Sequence, residues 1–288
     1  MNRLPASLRR FLVTGTGAVV TRAVGSWIAR SPAAPKLERI NHSGTPVSLS
    51  EGPAVAVGAS AASALGARTP THAAAALVAG LGSGAVGLYD DTADIAETPP
   101  PKGLAGHLRA LAAGHATGGS VKLAGLGLVG LAAATLIDSD RDSGGESRAR
   151  RVTTTLLGAG VIAGTANLIN LFDLRPGRAL KLVSSIAGPI STKNDTAGGV
   201  AAGTLGAAGA ALPDDLEERT MLGDCGANAL GALVGLSWTA RSGVGKRAAL
   251  LAGVAALTLA SEKVSFTKVI AHTPVLREVD ELGRRGGA

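Results

Sequence analysis

Residues 152–173 read VTTTLLGAGVIAGTANLINLFD. From Val152 to Phe172 no side chain is charged, and as a helix rising 1.5 Å per residue this run is long enough to cross ~30 Å of hydrocarbon. Its end is polar. Asn167, Asn170 and Asp173 recur every three positions, so on a helix they wind slowly along one side over roughly 9 Å. Carboxamides and a carboxylate at that depth are costly unless they face a cavity or a partner. The stretch is therefore both a candidate span and a candidate site, with interhelical hydrogen bonding as the plainer account of its asparagines.

Eight further apolar runs read the same way, near 11–29, 52–67, 72–89, 121–137, 179–192, 196–212, 226–240 and 247–262. Several are diluted by small residues, as in Gly198-Gly199-Val200-Ala201-Ala202-Gly203, which lowers hydropathy but favours tight helix contact. Composition agrees. The 288 residues are 46% hydrophobic, only 17% charged and 2% aromatic, with 41 glycines and a mean hydropathy of +0.29. That balance is too apolar for an ordinary soluble enzyme and predicts an all-α, polytopic integral membrane bundle of about nine transmembrane helices, one domain over 1–288.

The net charge of +7 lies in short clusters between apolar runs and not in one stripe, which argues against a nucleic-acid partner. The single cysteine, Cys225, excludes an internal disulfide. Arg9-Arg10 precede the first run in the manner of a signal peptide, but Arg22 interrupts the apolar stretch, so an uncleaved anchor is expected. Lys and Arg favour a cytoplasmic C-terminus by a small margin, in a multi-pass protein of the cell membrane. The cytoplasmic side also collects the polar motifs: Asn41 to Pro46, Asp90-Asp91, Asn167 to Lys181 and Gly223-Asp224.

Asp90 and Asp91 end the third run. Two adjacent carboxylates there repel each other and oppose the negative end of the helix dipole, a cost that a bound cation would offset. Oxygen ligands of this kind suit Mg²⁺, with a solvated acidic loop as the plainer reading. Arg175, Arg178 and Lys181 form a basic group suited to phosphate, broken by Pro176 and Gly177, although flanking charge alone would also explain them. Gly223-Asp224-Cys225-Gly226-Ala227 opens the eighth run: Asp224 is placed as an N-cap, and the flanking glycines allow close backbone approach to an anion. Lys102, His107 and His115 lie between the third and fourth runs and Lys122 at the start of the fourth; neither histidine has a neighbour at zinc-ligand spacing.

Together these segments resemble the polyprenyl-phosphate N-acetylhexosamine-1-phosphate transferase superfamily over about residues 36–235. Gly44-Thr45-Pro46 is similar to its Gly-Thr-Pro loop, Asp90-Asp91 to its acidic pair, Asn167-x-x-Asn170-x-x-Asp173 to its Asn-x-x-Asn-x-x-Asp core, and Gly223-Asp224-x-Gly226-Ala227 to its Gly-Asp-x-Gly-Ser/Ala loop. The resemblance implies transfer of a sugar-1-phosphate from a nucleotide sugar to a membrane-borne polyprenyl phosphate with Mg²⁺ or Mn²⁺, by a monomer or homodimer. Asp224 would be the principal metal ligand, Asp90 the base toward the lipid phosphate and Asp91 its support, all three within reach of the metal. Asn167, Asn170, Asp173, Arg175, Arg178, Lys181, Lys102, His107, Lys122, Gly44 and Thr45 would bind substrate. The chain departs from the pattern where Pro176 replaces a second aspartate, and where Ala271-His272-Thr273-Pro274 stands for a histidine-rich loop. A catalytically silent lipid-binding or scaffolding homologue is the alternative, and a transporter, suggested by Gly-rich helices with intramembrane polar residues, the third reading.

Overall fold

The computed structural model describes residues 5–41, 44–92, 117–141 and 145–284, with Gly106, Arg109, Ala113 and His115 between. Lys102 and His107 lie outside the described residues.

All nine predicted runs are helices. They are α1 (Ala6–Ala29), α2 (Glu51–Gly66), α3 (Pro70–Thr92), α4 (Gly118–Ser139), α5 (Arg148–Phe172), α6 (Arg178–Ser191), α7 (Thr196–Leu216), α8 (Gly223–Ala240) and α9 (Val244–Ser261). Two short helices, α10 (Phe266–His272) and α11 (Pro274–Glu281), follow. Local chemistry sets several starts. Thr69, Ser147, Asp195 and Ser265 each accept a backbone N–H of the first turn, and Thr117 forms a reciprocal capping box with Ser120. Within α3 the residues Val78–Gly82 wind as one π turn.

Five helices, α1, α3, α4, α5 and α9, are long and apolar enough to cross a membrane. The other predicted spans fall short for identifiable reasons. Helices α7 and α8 are rich in Gly, Ala, Ser and Thr and are buried along most of their length. A helix that meets other helices instead of acyl chains has no need of high hydropathy. Helices α2, at 16 residues, and α6, at 14, extend only about 24 and 21 Å.

Helix α8 is the axis of the bundle, packed by α5, α3, α2 and α7. Leu230, Leu233 and Leu236 are fully enclosed there, while Gly231 and Gly235 lie against Thr165, Ala166 and Ile162 of α5. One end of the bundle is clamped by Arg247 of α9. Its fully buried guanidinium forks onto Asp138 of α4 at 2.6 and 2.7 Å and donates to the carbonyls of Thr154, Thr239 and Ser242.

The opposite end carries the loops. A hairpin, β1 (Glu38–Ile40) and β2 (Pro46–Ser48), pairs Arg39 with Val47 and bridges from Ser48 to Thr220 ahead of α8. From the C-terminal side, Phe266 of α10 stacks on Phe172 at a centroid distance of 4.7 Å.

Candidate functional site

The loop end brings the starts of α2, α4 and α8 together with the ends of α3, α5 and α7, and thereby gathers most of the predicted site residues. The approach of α3 to α8 is backbone against backbone at Gly87, where any Cβ would run into the Asp224 carbonyl. This contact sets the acidic pair of α3 beside the first turn of α8. The Asp91 carboxylate accepts the N–H groups of Asp224 and Cys225 at 3.0 and 2.9 Å, so it caps α8 from outside that helix. Gly223 turns into α8 at a φ of +61°, and a side chain there would meet Leu49 and the Asp91 carboxylate.

Lys122, one turn into α4, reaches the same point. Its ammonium lies 3.1 Å from Asp90 and also bonds Asp224. The cost of adjacent carboxylates at the end of α3, which from sequence a bound cation would offset, is met in two ways: Lys122 neutralises Asp90, and the positive N-terminus of α8 takes Asp91. Arg39 adds a bond to the Asp91 carbonyl at 3.1 Å.

Beside this cluster, Asp173 ends α5 and takes the N–H of Gly223. Desolvation pushes its carboxyl well above the usual carboxylate range, reinforced by the charges of Asp215, Asp224 and Asp91. Asp215, past the apolar part of α7, accepts the Gly177 N–H at 2.6 Å and that of Leu222. Burial raises it to about 6, although both N–H bonds act the other way. Glu51, buried at the start of α2, is raised by burial and by Asp215 while bonding the Thr220 hydroxyl. Asp173, Arg175, Asp215, Glu218, Thr220 and Thr267 line a cavity of about 480 Å³.

Not every predicted residue joins. Asn167 and Asn170 are partly buried on α5 before Asp173, in the register expected. Arg175 lines the cavity and is exposed. Arg178 and Lys181 are committed elsewhere: Arg178 forks onto Asp280 of α11 at 2.7 and 3.0 Å, and Lys181 holds the carbonyls of Val279 and Asp280. A buried arginine must find a carboxylate, and α11 supplies it. Gly44 and Thr45 form the exposed hairpin tip, which Asn41 staples by bonding the Thr45 N–H and Glu218. Gly44, at a φ of +80°, serves the turn. The sequence reading missed Asp215, Glu51 and Arg39. Asp214-Asp215 ends an apolar run just as Asp90-Asp91 does, on the same side, and that signal could have found it.

Among the described residues no group of three or more His, Cys, Asp or Glu side chains is arranged to hold a metal ion. Asp90 and Asp224 do converge on one cation, the Lys122 ammonium. Two carboxylates completed by substrate phosphates are a usual complement for Mg²⁺, so the donor types fit that ion. In sequence comparison no protein-family model matches the chain, and no curated protein matches it.

Proposed function

We propose that this protein transfers a sugar-1-phosphate from a nucleotide sugar to a polyprenyl phosphate, at the loop end of a nine-span bundle whose site faces the cytoplasm of the cell membrane. One observation carries the reading: Asp90, Asp91, Lys122, Asp173 and Asp224, which the sequence scatters over about 130 residues, meet at one end of an apolar helical bundle.

Joining two anions by in-line phosphoryl transfer calls for charge neutralisation and positioning more than covalent chemistry. A phosphate oxygen of the lipid attacks the sugar-bearing phosphorus, and the nucleoside monophosphate leaves. Asp90, less enclosed than Lys122, receives the lipid phosphate and any proton it carries. Lys122, already at the centre of the cluster, is the cation that moves from carboxylate to phosphate. Asp91 keeps the first turn of α8 aimed at the reacting groups, and Arg175 faces the cavity that takes the donor. Asp90 and Asp224 would hold Mg²⁺ or Mn²⁺, which supplies charge neutralisation to the diphosphate when bound.

Purified protein, Mg²⁺, polyprenyl phosphate and a panel of nucleotide sugars form the test, read by release of nucleoside monophosphate. Asp224→Asn is expected to lower turnover by a factor on the order of 100 or more. Folded protein that turns over no donor in the panel would defeat the proposal. The pairing of Arg178 and Lys181 with α11 favours a second reading, a catalytically silent lipid-binding homologue. Under that reading Asp90→Asn and Asp224→Asn variants complement a deletion fully.

A further inference from the structure

A second cavity lies at the end of the bundle away from the acidic site. It encloses about 760 Å³ between the end of α4, the start of α5 and the start of α9. A volume of that size is within the range of small-ligand sites. Its walls have two characters. Leu131, Val152 and Leu156 form the apolar part and are 39%, 51% and 56% exposed, on helices apolar enough to cross a membrane. Arg141, Arg148, Arg150 and Arg151 give the polar part its positive charge.

Among the described residues, the lining carboxylates do not balance these arginines. Asp138 is taken by buried Arg247 and by Arg141, and Glu146 pairs with Arg150 at 3.0 Å. Arg148 and Arg151, three residues apart on one face of α5 and exposed, have no carboxylate among the described residues. A ligand that fits both characters has an anionic, bidentate-accepting head for two guanidinium forks and an apolar tail to lie along Leu131 and Leu156.

We infer that the cavity between α4 and α5 is a binding site for an anionic phospholipid, whose phosphate is held by Arg148 and Arg151 and whose acyl chains cover Leu131, Val152 and Leu156. The site is independent of the acidic cluster and of the transfer reaction proposed above.

The test uses native mass spectrometry of the full chain in detergent, mixed with phosphatidylglycerol or phosphatidylcholine. The wild-type protein is expected to keep one phosphatidylglycerol at collision energies that strip phosphatidylcholine. Arg148→Ala/Arg151→Ala should cut that retention about tenfold, while Arg277→Ala, an exposed arginine at the other end, leaves it unchanged. Circular dichroism checks that the double variant is helical, and its altered residues are both exposed. Equal retention by the double variant overturns the inference, as does equal retention of the two lipids. So does displacement of the lipid by millimolar inorganic phosphate, which would mark a site for free anions.

Discussion

Asp91 caps the central helix of the bundle from outside it. Its two bonds to the first turn of α8 replace the N-cap that Leu222 cannot provide. Asp91→Ala should therefore cost about 1–2 kcal/mol, the usual loss for an N-cap, seen as a lower midpoint in thermal or denaturant unfolding. Asp215 makes a pH-dependent contribution of known sign. Its carboxyl moves from an ordinary 3.8 to about 6 in the folded protein, so between those values the folded state binds more protons than the unfolded one. Stability from this residue is then fully present below pH 3.8 and is lost as pH rises through about 6. Asp215→Asn, which still accepts an N–H bond, should reduce the fall in melting temperature across that window, leaving the part due to Asp173 and Glu51, and raise it at neutral pH. A variant whose melting profile matches the wild type would contradict this assignment. Residue types at the site were legible because Asp, Asn and Gly are conspicuous in apolar sequence. Their pairings were not: nothing in the spacing of Lys122 says that it sits between Asp90 and Asp224, or that Arg178 is claimed by Asp280.

Among the elements, the helices were the most legible part of the chain. Residues 152–173 form α5 up to Phe172, and the other predicted runs fall within a few residues of observed helices. The reason is physical: a chain buried in lipid or in other helices must satisfy its backbone internally, so long uncharged runs have few alternatives to helix. The ends were less legible. Helix α7 continues through Pro213 to Leu216, four residues past its apolar part, because Asp215 is bonded from the Gly177 and Leu222 N–H groups. Charged residues mark where hydropathy stops, and tertiary bonds decide where a helix stops. The Arg247 clamp is an element-scale device of the same kind, fixing the otherwise exposed α9 to α4, α5 and α8. Arg247→Ala would leave Asp138 without its buried partner and is expected to cost roughly 3–5 kcal/mol. Loss of detergent-resistant folding below the wild-type midpoint is the measurement, and a change within error would mean that Arg141 alone satisfies Asp138.

At the scale of the molecule, polar chemistry is divided between two ends. The acidic cluster occupies one and the Arg247 clamp with its arginine-lined cavity the other, separated by the Gly- and Ala-rich body of α8. A nine-span arrangement requires these ends to face opposite sides of a membrane. Thr45→Cys and Arg277→Cys should react with an impermeant maleimide in vesicles of one orientation, and Lys193→Cys in vesicles of the other. Buried Cys225 stays silent in both. Labelling of all three positions from one side would rule out the arrangement.

The π turn at Val78–Gly82 gives this assembly a sensitivity of its own. A π turn holds one more residue than the α turn it replaces, and one residue on a helix is about 100° of rotation. The phase at which Asp90 and Asp91 arrive beside α8 is therefore set about 15 Å away, inside α3, by a residue count and not by any side chain. Removing one residue there would leave composition, hydropathy and length almost untouched and turn both carboxylates away from the first turn of α8. A single deletion at Val78–Gly82 is thus expected to disable the site as surely as loss of one of its carboxylates, although it removes none of them.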